Sequence, residues 1–144
     1  MSREIKFRGK RVDNSEWAYG YYVYRPDGKH LIYHQPFEEA SQNAYHEIDP
    51  ETLGQFTGLK DKNGRDIFEG DIVKCDEKQV VWEIAGEVGV LEWSDDKARF
   101  LIHFRRAEFK TALLKEDMDI TEIIGNIHQD SSLLNENPEL LEAK

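Results

Sequence analysis

Four carboxylates crowd one short stretch of the chain: Asp61, Asp66, Glu69 and Asp71 surround Asn63-Gly64. Oxygen ligands converging from a loop are what Ca²⁺ or Mg²⁺ takes, and a metal held there would suit a hydrolase or nuclease. The spacing does not follow the D-x-D-x-D-G pattern of a calcium loop, and no catalytic base stands at a defined interval. Turn chemistry accounts for the same residues, since Asp61 and Asn63 favour tight turns and Asp71 can cap backbone amides after Gly70. The histidines are His30, His34, His46, His103 and His128. His30 and His34 would meet on a helix, but on a strand a four-residue step carries them too far apart for one ion. Cys75, between Lys74 and Asp76, reads as a small apolar filler of a strand rather than an activated thiol. There is no G-x-S-x-G elbow, phosphate loop or dinucleotide fingerprint. The expectation is therefore no catalytic residue, no metal and no cofactor.

A second constellation lies near the N-terminus. Trp17, Tyr19, Tyr21, Tyr22, Tyr24 and Tyr33 stand close in sequence to Arg8, Lys10, Arg11 and Arg25. Aromatic faces interleaved with cations can stack single-stranded nucleic acid. The same residues suit one buried sheet face and one tyrosine-rich contact surface for protein.

The elements that must position these groups are strands. Ile5 and Phe7 alternate with Lys6 and Arg8. Asp13–Glu16 reads as a turn, and Trp17, Tyr19, Tyr21 and Val23 then share one face of a second strand, which predicts an N-terminal hairpin. Arg25-Pro26-Asp27-Gly28 is a turn, followed by a short strand at Leu31–Tyr33. Residues 35–54 look irregular and mobile, with one helical turn at Glu38-Glu39-Ala40. A short helix there is capped by Asp49, carries Pro50 at its first position and ends at Gly54. Asn63-Gly64 predicts a type I′ hairpin turn, in which both residues take positive φ. Glu69-Gly70 leads into a strand over Asp71–Cys75. A meander over 79–104 follows, with Val80, Trp82 and Ile84 on one face. Val88, Val90 and Glu92 then alternate with Gly89, Leu91 and Trp93. After a turn at Ser94–Lys97, Ala98, Phe100, Ile102 and Phe104 oppose Arg99, Leu101 and His103. Residues 107–118 fit either a helix or a strand, 120–127 a closing strand, and Asn137-Pro138 a short terminal helix. Many short strands with closely spaced turns indicate an all-β chain, mainly β with short helices, built as a small barrel or curled sheets.

Size and charge bound the function. The chain has 144 residues and a formal charge of −10. That length suits one domain, organised as an N-terminal β subregion over 1–54, a barrel-like core over 55–128 and a C-terminal short helix over 129–144. One cysteine excludes an intramolecular disulfide and a cysteine-rich zinc site. No apolar run is long enough to span a membrane, and the charged start is unlike a secretion signal. The charge is uneven: residues 1–36 carry +3 and the remainder −13. A uniformly basic nucleic-acid binder is thereby excluded, whereas a local basic patch is not.

The stretch QFTGLKDKNGRDIFEGDIV, residues 55–73, resembles the YopX family of phage and prophage proteins. Its marks are Gly58, Asp61, Asn63, Gly64, Glu69, Gly70 and Asp71. REIKFR (3–8), Trp17–Gly20, IDPETLG (48–54), GVLEW (89–93), IIGNI (123–127) and NPELL (137–141) extend the resemblance over nearly the whole chain. It departs at Arg8-Gly9-Lys10, where an aromatic is expected. The resemblance implies an all-β core with an SH3-like small barrel beginning near Glu69-Gly70-Asp71-Ile72-Val73, a phage or prophage origin and the bacterial cytoplasm. It implies no particular activity. The expected function is a non-enzymatic protein-binding module for a host or phage protein, or for a second copy of the chain. Its contact surface would comprise Arg8, Lys10, Arg11, Trp17, Tyr19, Tyr21, Tyr22, Tyr24 and Arg25. A nucleic-acid-binding modulator using the same hairpin and a metal-dependent hydrolase stand as the alternatives.

Overall fold

Proline-glycine and asparagine-glycine turns set the strand pattern, and both close in the same way. Gly28 donates to the Arg25 carbonyl at 2.9 Å, and Gly64 to the Asp61 carbonyl at 3.0 Å. Only the glycine of each turn has positive φ, 89° and 82°. Asn63 does not. The expected type I′ turn is thus replaced by a type I turn followed by a glycine bulge, the usual three-residue alternative. The Asp61 side chain selects it by accepting hydrogen bonds from the Asn63 and Arg65 amides.

The computed structural model describes residues 4–34, 45–76, 86–105, 110–112 and 120–134. In chain order the strands are β1 (Phe7–Lys10), β2 (Trp17–Tyr24), β3 (His30–His34), β4 (Tyr45–Glu47), β5 (Gly54–Lys60), β6 (Asp66–Phe68), β7 (Asp71–Cys75), β8 (Val88–Ser94), β9 (Arg99–Phe104), β10 (Lys110–Ala112) and β11 (Thr121–Asn126). Short 3₁₀ turns occupy Pro50–Thr52 and Ser131–Leu134. The strand orders are β4-β3-β2-β1-β5-β6 and β10-β9-β8-β7-β11. The all-β expectation is met, as two antiparallel sheets. The expected helical turn at 38–40, the strand around Val80–Ile84 and the helix after Asn137 lie outside the described residues. No helix among the described residues is long and apolar enough to cross a membrane.

The chain forms two compact units, Met1–Gly58 and Leu59–Lys144. In the first, β1–β4 form a meander whose ends meet. Arg11 bridges Ile48, the Val12 amide donates to the Glu47 carbonyl at 3.0 Å, and the Asp49 amide to the Lys10 carbonyl at 2.8 Å. The other half of the same β1 edge pairs with β5, Phe7 opposite Gln55 and Arg8 opposite Gly54. Between them the Pro50–Thr52 turn has Asp49 at its N-cap, as expected. It ends at Leu53 rather than Gly54, because Gly54 already opens β5. Tyr45–Glu47, in the stretch read as irregular, is a paired strand. Ala18, Ile32 and Ile48 are buried inside, with Phe7, Tyr22 and Leu53 packed against them. Gly9 faces the Ile48 side chain, and a Cβ there would collide with its Cβ and Cδ1. The departure at Arg8-Gly9-Lys10 therefore has a packing reason: an aromatic would need the space Ile48 fills.

In the second unit, β7 and the first half of β8 are covered on both faces. Val73, Cys75, Leu91, Ile102, Phe104, Ile123 and Ile67 form one cluster. Ile72, Val88, Val90 and Leu134 form another, joined by Ile124 and Ile127. The run Val88-Gly89-Val90-Leu91 is buried throughout, so this first half of β8 has no wet face, whereas Trp93 near its end is exposed. Ala98 lies in the turn with φ 51°, outside β9. The ambiguous 107–118 contains the strand β10, paired with β9. β10 and β11 stand at opposite ends of the five-stranded order, without a closing pair among the described residues.

Gly9→Ala is expected to lower the unfolding free energy by about 1–3 kcal/mol through overpacking. Ile48→Val removes the nearest colliding methyl and should recover part of the loss in the double variant. Equal losses with and without Ile48→Val, measured by denaturant melts, would refute this contact.

Candidate functional site

The carboxylates of the central stretch do not converge. Asp61 is buried, at 5% exposure. Its Oδ1 accepts from the Asn63 and Arg65 amides at 2.9 and 3.0 Å, and its Oδ2 accepts from the Ile123 amide at 3.0 Å. The turn is thereby tied to β11, and the Lys62 amide adds a bond to the Thr121 carbonyl at 2.9 Å. Asp66 pairs with Lys60 across the hairpin at 3.0 Å. Asp71 is also buried, and its Oδ2 accepts from the Phe68 amide at 2.8 Å. It caps the turn from its far side, before Gly70 rather than after it. Gly70 donates to the Leu91 carbonyl and accepts from the Ile127 amide. Gly58 lies within β5, and Glu69 in the turn leading to β7. Among the described residues no three of His, Cys, Asp and Glu are placed to share an ion. A carboxylate saturated by backbone amides is a poor metal ligand, because its lone pairs are already used.

The N-terminal aromatic residues are brought together. In β2, Ala18 and Gly20 are buried, whereas Tyr19, Tyr21, Val23 and Tyr24 are exposed. Strand alternation turns Tyr22 the other way, where its hydroxyl meets His30 Nδ1 at 2.6 Å. Tyr22 thus leaves the expected outer surface. Tyr45, which composition alone did not single out, joins it. Tyr21 lies opposite Tyr33 and Tyr33 opposite Tyr45, forming one row across three strands. The Tyr33 and Tyr45 rings are 5.1 Å apart. Tyr21 and Tyr45 are 50% and 44% exposed.

The cations beside this row are not an open basic field. The Arg8 guanidinium lies 4.5 Å from the centre of the Trp17 ring, and Lys10 Nζ 5.8 Å from it. Arg8 is buried. Arg11 grips Asp13 with two hydrogen bonds of 2.9 and 2.7 Å. That bond raises the Arg11 pKa and lowers that of Asp13. Arg25 pairs with Asp27 at 3.0 Å, and Lys6 with Glu4 at 3.1 Å. Three of the seven bases in the first 36 residues are thus paired with acids two residues away in sequence, and the segment keeps its net charge of +3. A shallow concavity of about 560 Å³ lies beside them, lined by Lys10, Arg11, His30, Glu47 and Asp49 among others.

The histidines divide by partner. His30 sits against Tyr22 and Tyr24, and His103 Nδ1 is 3.5 Å from Glu92. His34 and His46, on β3 and β4, meet edge to face with centroids 4.6 Å apart. Burial lowers the His46 pKa, and the positive charges of Arg11 and His34 lower it further, against a smaller opposing effect of Asp13. No spacing rule in the sequence pairs residues 34 and 46, because the pairing depends on the β3–β4 register.

The family model described as YopX protein matches residues 6–135. The chain is similar in fold to the crystal structure of protein EF1440 from Enterococcus faecalis. That likeness has a TM-score of 0.58 and 23% identity, covering 92% of this chain and 99% of that one. Among curated proteins none matches the chain.

Asp61→Ala leaves three amides without their acceptor and should cost roughly 2–4 kcal/mol of stability. A loss below about 1 kcal/mol in denaturant melts would contradict the anchoring role. His46 supplies a pH test. Its folded pKa lies below the reference value of 6.5, so the unfolded chain takes up the proton first as pH falls. Its contribution is complete above 6.5 and is lost as pH falls from there toward the folded pKa. His46→Gln should flatten the fall of the thermal midpoint across that window; parallel profiles for the two proteins would exclude it.

Proposed function

This chain belongs to the YopX protein family, and we propose that it works as a non-enzymatic protein-binding module whose contact surface is the outer tyrosine face of β2, β3 and β4. The observation that carries the proposal is the row Tyr21–Tyr33–Tyr45, exposed at both ends and continued along β2 by Tyr19. Tyrosine gives large apolar contact area with little conformational entropy to lose, and its hydroxyl tolerates a wet rim. Trp17, held under Arg8 and Lys10, presents a rigid edge to the same face. Arg11 and Arg25 are each closed on a carboxylate, which weakens the basic field and suits protein contact better than capture of a polyanion. The partner is a host or phage protein, or a second copy of the chain, and the setting is the cytoplasm of a bacterial host carrying the phage or prophage. A metal-dependent hydrolase draws no support from carboxylates committed to backbone amides.

A nucleic-acid-binding modulator is the second reading, favoured by cations lying over Trp17 beside stackable tyrosines. The two readings separate in one experiment. A Tyr21→Ser/Tyr45→Ser double variant should keep its thermal midpoint within a few degrees and lose a protein that the wild type retains from host lysate. It should leave weak or absent oligonucleotide binding unchanged. Retention of the same protein by the variant overturns the contact surface. Tyrosine-dependent fluorescence anisotropy with single-stranded oligonucleotides at low salt would replace it with the second reading.

A further inference from the structure

We propose that His34 and His46 form a two-histidine site for a borderline-soft divalent cation of the Zn²⁺, Ni²⁺ or Cu²⁺ class. Neutral imidazole is the preferred side-chain donor for these ions, and it does not attract Mg²⁺ or Ca²⁺. The two residues come from the adjacent strands β3 and β4. His46 stands opposite Ile32, and His34 lies two residues further along β3, so the two rings share a face diagonally. Their centroids are 4.6 Å apart and their planes meet at 83°. With metal–nitrogen bonds of about 2.0–2.1 Å, two imidazoles sharing one ion at an angle near 90–110° have centroids about 4.5–5 Å apart. The backbone therefore already holds the rings at chelating separation. Both side chains are partly exposed, and χ2 is a broad torsion, so each ring has freedom to turn a nitrogen toward the other.

The surroundings favour this use over a merely structural one. His30 is engaged by a tyrosine hydroxyl and His103 by a carboxylate. Among the described residues no such group is bonded to His34 or His46. The charged groups that act on His46 are Arg11 and Asp13. They are locked together at 2.7 and 2.9 Å, so Asp13 offsets part of the Arg11 field beside His46. Two protein ligands leave coordination positions for water or for donors of a docked molecule. Tyr33 and Tyr45 alternate with the two histidines along β3 and β4, so an ion here would lie on the sheet face opposite the proposed contact row.

The test uses the full chain and the metals alone. Zn²⁺ or Ni²⁺ below about 1 mM should raise the thermal midpoint saturably, and Mg²⁺ should not. His34→Gln and His46→Gln should each weaken the response at least tenfold, and His128→Gln should leave it intact. In the wild type, substoichiometric Cu²⁺ should broaden the ring resonances of His34 and His46 before those of the other histidines. That reading needs no variant to fold. No midpoint response to any of the three ions, a response kept in both variants, or broadening confined to other histidines overturns the site. Because the readout is metal binding alone, its failure would leave the tyrosine contact face standing.

Discussion

The contact between Gly9 and Ile48 is the constraint on which the first unit depends. Ile48 is buried, and it reaches the inner face of β1 only because position 9 has no side chain. That approach lets the segment after β4 hydrogen-bond to the end of β1, with Lys10–Val12 facing Glu47–Asp49. Once the meander is closed this way, strand alternation leaves no choice. Ala18, Ile32 and Ile48 must lie inside, and Tyr19, Tyr21 and Tyr45 must lie outside. A one-residue slip of β2 would turn Tyr19 and Tyr21 inward and Ala18 outward. The same register that sets out the tyrosine row also places His34 beside His46. The tyrosine row and the histidine pair are thus two consequences of one closure.

The second unit is governed by a different device with the same logic. A buried carboxylate is costly unless hydrogen bonds replace its water, and Asp61 has three amides in that role. Two of them shape the hairpin turn and the third belongs to β11, 62 residues away. The sequence separation makes this an expensive contact to form and a decisive one once formed, since it joins a local turn to the far edge strand. Asp71 repeats the idea over a shorter distance at the entrance of β7. The acidic appearance of this stretch is therefore the mark of turn and edge anchoring, and its charge is directed inward at the backbone.

What could be read from the residues follows physical range. Period-two alternation, turn chemistry and capping are local, so the hairpins, the Asp49 cap, the buried Cys75 and the all-β class were legible. The type of the Asn63-Gly64 turn was not, because it is chosen by the Asp61 carboxylate, and that carboxylate is oriented by Ile123. The burial of both faces in the first half of β8 was hidden for a related reason: alternation reports one apolar face, and the second cover, around Leu134, comes from a distant segment. Tyr45 and the His34–His46 pair were out of reach because cross-strand neighbours depend on register, which no single strand encodes. Composition also misjudged the cations. It registered an excess of base near the N-terminus, but not that Asp13 and Asp27 would close on Arg11 and Arg25.

That last point bears on recognition. Long-range steering of a polyanion needs cations whose fields add, whereas a cation closed on a carboxylate two residues away acts as a small dipole with short reach. A face made of tyrosines and such dipoles draws little at a distance and binds by contact, where shape and desolvation dominate. Its affinity then depends on how rigidly the rings are held. Here the tyrosines stand on paired strands, and Trp17 is clamped by Arg8 and Lys10. The backbone that carries the rings is thus already ordered, which lowers the entropic cost of the proposed contact. In the proposed role as a contact surface, the row stands on a chain that is acidic beyond its first 36 residues, so selectivity would come from a match to the tyrosines rather than from attraction of an acidic partner.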